Sequence, residues 1–410
     1  LGSYWAVLRA DPWTQKTLET GLNPELSAKA LNALQKYAVE NTRLGIPILF
    51  AEECPHGHMA IGTTVFPTSI SQASTWNRDL IYQMGKVIGL EARSQGANIG
   101  YGPVLDISRE PRWSRVEETF GEDPYLTGCL GTAFVQGMQG DDIKDGAHVY
   151  STLKHLAAYG VPRGGHNGNP ADIGMRALLN EYLPGFRQAV EEGKAATVMT
   201  SYNSIDGIPC TSNSFLIDSL LRKQWGFEGF VYSDLASIDG VAETHHVAVD
   251  LQDAAVQSVK AGTDMDLGAK SYSTLVKAVK DGKIEEEYID RAVANVLRLK
   301  FQMGLFENPY TDEKRADTIL RCPEHLATAE KIAEKSIVLL KNDGLLPLKK
   351  NLKKVAVIGP NADVMYNYLG DYTAPQEREK IVTLLDGIKN KLPKAKVEYV
   401  KGCAIRDTTQ

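Results

Sequence analysis

The feature that most constrains this chain is a regular beat in its first two-thirds. Short apolar runs alternate there with segments of helical period. The runs are IPILFAEE, ANIGYGPVLDI, STLKHLAAY, ATVMTSYN, GFVYSD and GTDMDL. They read as strands covered on both faces, and strands of that kind separated by helices build parallel β/α units. Asn23 as N-cap and Pro24 at N1 open the first helix, with Leu26, Ala30, Leu34 and Tyr37 expected on its buried face, and it stops before Gly45. Further helices are predicted near 78–95, from about 124, near 175–192, near 213–225 and near 247–261.

Six strands fit either a doubly wound sheet or a (β/α)8 barrel, and the strand ends decide between them. Glu53, Asp106, Lys154 with His155, Tyr202, Asp234 and Asp264 with Asp266 all sit at or just past a strand's C-terminal end. A barrel brings such ends to one mouth, whereas an open sheet brings together only those near a switch point. A TIM-like (β/α)8 barrel is therefore expected over residues 1–307. Its strand count falls short of eight, so either strands escape the pattern or the first unit is missing. The polar, turn-rich stretch over 308–325 reads as a linker. Residues 326–410 begin a second α/β domain, with a helix through Ala329–Leu340, the turn KNDGLLPL and the strand KVAVIGPNAD. That segment is too short for a complete layered domain. It also lacks the G-x-G-x-x-G of a dinucleotide site.

Composition excludes several functions. The net charge of −6 argues against a nucleic-acid partner, and no apolar run is long enough for a membrane span. Five cysteines without a CxxC pair form neither a zinc pattern nor a disulfide framework. The histidines have no ligand spacing, since His56 and His58 flank Gly57 while His245 and His246 are adjacent, so no metal and no cofactor is expected.

The residue with most chemistry in it is Asp234, at the mouth of the strand GFVYSD. Arg115, Lys154 and His155 arrive from other strand ends, with Arg109 and Arg112 near Arg115 in sequence. Cations of this kind favour an ionised carboxylate of low pKa, as a nucleophile requires. Rim ion pairs are the plainer reading of any one of these residues. The acids of GTDMDLG would repel a phosphate. A carbohydrate suits the set better, with Trp113 and Tyr202 available to sugar faces.

Several segments, in order, carry a resemblance: EECPHG, TVFPTSISQASTWN, GPVLDISREPRWSRVEETFGEDPYL, STLKHLAAYG, VMTSYNSIDGIPCTSN, GFVYSDL and KSIVLLKNDGLLPL. Together they resemble glycoside hydrolase family 3, in its two-domain β-glucosidase and β-xylosidase branch. The resemblance implies a retaining, exo-acting β-glycosidase with a (β/α)8-like barrel followed by an α/β sandwich, here incomplete. It implies that Asp234 is the nucleophile of a covalent glycosyl-enzyme. Glu53, Arg115, Lys154 and His155 would hold the sugar, with Tyr202 near the nucleophile and Met199 lining the pocket. A periplasmic or secreted location and an oligosaccharide or β-glucoside substrate follow from the same resemblance. The oligomeric state is left open, with a homodimer as one expectation.

Three departures from the family pattern stand out. The general acid/base would be a glutamate of the second domain, expected beyond residue 410, and Glu377, Glu379 and Glu398 stand in unmatched contexts. Leu235 follows the nucleophile where the family usually has tryptophan, which removes an aromatic wall. KHLAAYGVPRGGHNG holds His166 without the motif of the single-domain N-acetylglucosaminidases. Glucose release is the leading reading. A β-xylosidase or dual enzyme is the alternative, because Glu53 reaches one methylene further than aspartate toward the sugar's C6 group. A sugar-binding protein without catalysis is the alternative of another class.

Overall fold

The computed structural model describes residues 2–268 and 270–405. Its centre is a six-stranded, wholly parallel sheet. The first five strands are β1 (Ser3–Trp5), β2 (Leu49–Glu53), β3 (Ile99–Val104), β4 (Tyr150–Leu156) and β5 (Thr197–Thr200). A small antiparallel hairpin, β6 (Ser204–Ile205) and β7 (Ile208–Pro209), follows β5, and the sheet resumes with β8 (Phe230–Tyr232). Sheet order follows chain order, β1-β2-β3-β4-β5-β8. Strands β2, β3, β4, β5 and β8 are buried at every residue, as their doubly apolar sequences require.

The sheet is curled into a half-barrel. Tyr232, on the last strand, donates its hydroxyl to Ser3 Oγ on the first at 3.1 Å. Its ring also meets Tyr101 of β3 edge-on, with centroids 5.3 Å apart. Leu49, Ala51, Ile99, Tyr101, Met199, Phe230 and Tyr232 fill the concave interior. Gly229 lets β8 lie against β5, because a Cβ there would come within 1.8 Å of Ala196 O.

Two expectations change here. SYW at Ser3–Trp5 forms a strand that its three residues do not announce, whereas GTDMDL contributes only an isolated parallel bridge, Tyr232 with Met265. The first helix, Pro24–Asn41, is capped by Asn23 as expected, but the buried face is Ser27, Ala28, Leu31, Gln35 and Ala38. Leu26 and Tyr37 are 44% and 65% exposed. The true face is disguised by Gln35, whose amide accepts from Ile48 N at 2.6 Å and donates to Ile48 O at 3.0 Å. A buried amide that satisfies its hydrogen bonds is tolerated in a core.

After the half-barrel a helix runs over Pro323–Ser336, ending before Leu340. Strands β9 (Lys354–Ile358) and β10 (Lys396–Val400) then pair in parallel, with the helix Leu384–Lys391 between them. Val357, Ala362 and Leu385 form that unit's small core. A loop from the same segment docks on the half-barrel: His56 Nε2 meets Asp371 O at 2.5 Å and Asp371 N–H donates to Glu117 Oε1 at 2.7 Å.

Candidate active site

The strand ends open into a cavity of about 190 Å³ lined by Glu53, Arg115, Lys154, His155, Met199, Tyr202 and Asp234, together with Trp5, Arg9, Trp13, Leu235, Leu267 and Tyr372. Larger cavities lie elsewhere: those of about 670 and 1170 Å³ are walled mainly by apolar side chains, and one of about 500 Å³ is lined by charged groups that include Arg93, Asp145 and Arg315, away from these strand ends. The small one is below the roughly 300–1,000 Å³ of a drug-sized pocket, which suits a single sugar ring.

Local backbone irregularity builds it. Along a regular strand Lys154 and His155 would point to opposite faces. The β4–β5 register jumps from Leu153 opposite Val198 to Leu156 opposite Thr200, so two residues face Met199 alone. A bulge of this kind re-aims side chains, and both Lys154 and His155 line the cavity. Asp234 is held beyond β8 by neighbouring backbone: Ser233 N–H donates to Met265 O at 2.8 Å, and Ser237 N–H donates to Asp234 O at 3.0 Å.

The polar contacts form two linked groups. Lys154 Nζ lies 2.9 Å from Glu53 Oε2, and the Trp5 indole N–H donates to Glu53 Oε1 at 3.2 Å. Arg115 grips Glu118 with two bonds of 2.7 and 2.9 Å and donates to His155 Nε2 at 3.1 Å and Tyr372 Oη at 3.2 Å. Since His155 Nε2 accepts from Arg115, its proton sits on Nδ1, which faces Asp106 Oδ2 at 2.8 Å. Burial and the two neighbouring cations push His155 far below the ordinary histidine range, so the ring is neutral.

Asp234 Oδ1 accepts from Leu235 N–H at 2.7 Å, while Oδ2 is buried and has no hydrogen-bond partner among the described residues. The low pKa expected for this carboxyl is not found. Burial raises it, and Arg115, the Leu235 N–H, Lys154 and the nearby Tyr202 hydroxyl pull back without cancelling the desolvation. The cations were legible in the sequence, but the depth at which they act was not.

A profile described as "Glycosyl hydrolase family 3 N terminal domain" matches residues 15–299, and one described as "Glycosyl hydrolase family 3 C-terminal domain" matches residues 337–409. The chain belongs to glycosyl hydrolase family 3. It is 38% identical over 383 residues to a protein named periplasmic beta-glucosidase from Salmonella typhimurium, covering 92% of this chain and 49% of the relative. It is 37% identical over 398 residues to a beta-xylosidase from Formosa agariphila, covering 90% and 54%. A beta-glucosidase from Listeria innocua, solved with glucose, superposes with a TM-score of 0.87 at 33% identity, over 93% of this chain and 52% of that one. The family 3 chain described here thus spans about half the length of the curated relatives it matches.

Other residues read from the sequence lie outside the family 3 cavity. Arg109 pairs with Glu181 and Arg112 with Glu110, both at exposed positions. Trp113 is 2% exposed, its indole bonded to Asn167, and has no face for a sugar. Asp264 pairs with Arg222 and Asp266 accepts from Tyr272 N–H, so these acids brace the sheet edge. Among the described residues no cluster of three or more metal-ligating side chains occurs.

Sequence reasoning missed Trp5, Arg9, Trp13, Glu118 and Tyr372. Only Glu118 carried a signal, at i+3 from Arg115 in a helical turn.

Proposed function

We propose that the protein is a retaining, exo-acting β-glycosidase that releases glucose from the non-reducing end of β-glucosides. Asp234 attacks the anomeric carbon through Oδ2, the glycosidic C–O bond breaks, and the departing oxygen takes a proton from a general acid. Water, deprotonated by the same group, then attacks the glycosyl-aspartate and restores the starting configuration. Glu53, Arg115, Lys154 and His155 hold the sugar's hydroxyls, Tyr202 flanks the nucleophile and Met199 lines the pocket. The observation that carries this reading is the buried, unpartnered Asp234 Oδ2 in a cavity of one-ring size.

In this reading the proton donor is a second-domain glutamate. Glu377, Glu379 and Glu398 do not line the cavity, and Glu53 is engaged on both oxygens, so none of these is assigned. A (β/α)8-like catalytic domain over 1–307, a linker over 308–325 and an α/β sandwich from 326 complete the proposal. So does a periplasmic or secreted location, after the Salmonella relative.

A 2-deoxy-2-fluoro β-glucoside with a good leaving group tests it. It should inactivate the protein and label the peptide that holds Asp234 by mass spectrometry; labelling of another carboxyl refutes the assignment. A β-xylosidase or dual reading keeps the same mechanism and is favoured by the length of Glu53 and by xylosidase names among the relatives. Parallel kcat/KM values for aryl β-glucoside and β-xyloside separate the two.

A further inference from the structure

Trp5 ends β1 and is the one side chain of that strand that lines the cavity. Its indole N–H takes Glu53 Oε1 at 3.2 Å while Lys154 takes Oε2 at 2.9 Å, so Glu53 is gripped from both sides and cannot swing. Trp5 is itself backed by Trp13, with centroids 5.9 Å apart, and by the Arg9 guanidinium 5.7 Å from its ring. Arg9 spends its charge on Asp11 at 2.6 Å, so this wall presents aromatic surface and one N–H donor rather than a free cation.

We infer that Trp5 is a positioning residue that sets the choice between hexose and pentose by fixing how far Glu53 projects into the sugar site. The inference rests on the glycosidase reading above. Glu53 shares the cavity with Asp234 and makes no polar contact with it. In that reading the anomeric carbon meets Asp234, and Glu53, lining the same cavity, meets the edge that carries the ring's C5 substituent. The carbon on that edge bears a hydroxymethyl group in a hexose and hydrogen in a pentose. A glutamate pinned forward by Trp5 narrows the room for that group, and one methylene of fit is worth about 10–200-fold in selectivity. With Trp5 in place the pocket admits both sugars; without it the margin moves toward the hexose.

The test is Trp5→Phe in the full-length protein, which keeps the ring against Trp13 and removes the N–H. The ratio of kcat/KM for aryl β-glucoside over β-xyloside should rise about tenfold. Glu53→Asp, too short to reach Trp5, should move the ratio the same way, and Trp5→Phe should add nothing on that background. A merely structural tryptophan would lower both substrates together; a ratio unchanged within about twofold, or an equal shift in both backgrounds, overturns the inference. Calorimetric binding of glucose and xylose reads the same ratio without turnover. If the wild type hydrolyses neither substrate, the glycosidase reading fails, and the binding ratio alone decides Trp5: a shift supports it, while no shift or no binding overturns it.

Discussion

His155 Nε2 stands 3.6 Å from Asp234 Oδ2, and the same nitrogen accepts a hydrogen bond from Arg115 at 3.1 Å. The imidazole therefore has no proton to offer Asp234. It fills space beside the carboxylate and leaves Oδ2 without a donor, as the proposed nucleophile requires. Asp234→Asn keeps the shape and the Oδ1 contact while removing the reactive oxygen. Activity on an aryl β-glucoside should fall by more than about a thousandfold, some 4 kcal/mol of barrier, with the thermal melt no lower than that of wild type. A variant within about tenfold of wild type contradicts the nucleophile assignment.

Lys154→Ala should be costly in two separate measurements. Both members of the Lys154–Glu53 pair are buried, so truncating the lysine strands a carboxylate whose other partner is only the Trp5 N–H. Breaking such a pair costs about 3–5 kcal/mol, which urea denaturation reads directly. Binding in ground and transition states should weaken together, raising KM and lowering kcat/KM by about a hundredfold. The double variant Lys154→Ala, Glu53→Gln should recover much of the stability and none of the activity. An unchanged kcat/KM for the single variant removes Lys154 from the site.

The mouth of the sheet was legible in the sequence because polar residues interrupt apolar runs at the same relative place in successive strands. Glu53, Lys154, His155, Tyr202 and Asp234 were all readable in that way, and the cavity contains each of them. Trp5 was not, since a three-residue strand has too short a pattern to stand out. Tyr372 was not, because it reaches Arg115 across 257 positions of sequence. The buried face of the first helix was misread for a related reason: Gln35 looks like a surface residue until the Ile48 backbone it satisfies is known. Asp234's raised pKa belongs with these. Nearby charge can be read from residue types, whereas desolvation depends on how the fold closes over them.

Retention of configuration is the stereochemical prediction. Attack by Asp234 inverts the anomeric carbon once and water inverts it again, so the first product from a β-glucoside should be the β-anomer. Proton NMR of the anomeric region during the first turnovers distinguishes it from the α-anomer before mutarotation mixes them. An initial α-product would place water, not Asp234, at the first step.

Glu52, next to the cavity-lining Glu53, makes a stability prediction with a definite sign. It is fully buried, accepts one bond from Leu8 N–H at 3.0 Å through Oε1, and leaves Oε2 without a partner. Burial pushes its pKa up from 4.5 to about 8, with the Leu8 N–H opposing and the neighbouring Glu53 charge adding to the rise. Between those two values the folded chain keeps a proton that the unfolded chain has released. Rising pH therefore favours unfolding across that window, by about 1.4 kcal/mol for each pH unit. Below the unfolded value the stabilisation is fully present, and it is lost as pH rises toward the folded one. Asp106 is raised by burial in the same direction, so the useful quantity is the difference between wild type and Glu52→Gln. Glutamine has the shape of the protonated acid and never titrates. The two proteins should be about equally stable at pH 5, and the variant should be the more stable by roughly 2–4 kcal/mol at pH 8. Urea denaturation at both values checks it, and parallel stability curves would mean that Glu52 is ionised in the folded chain.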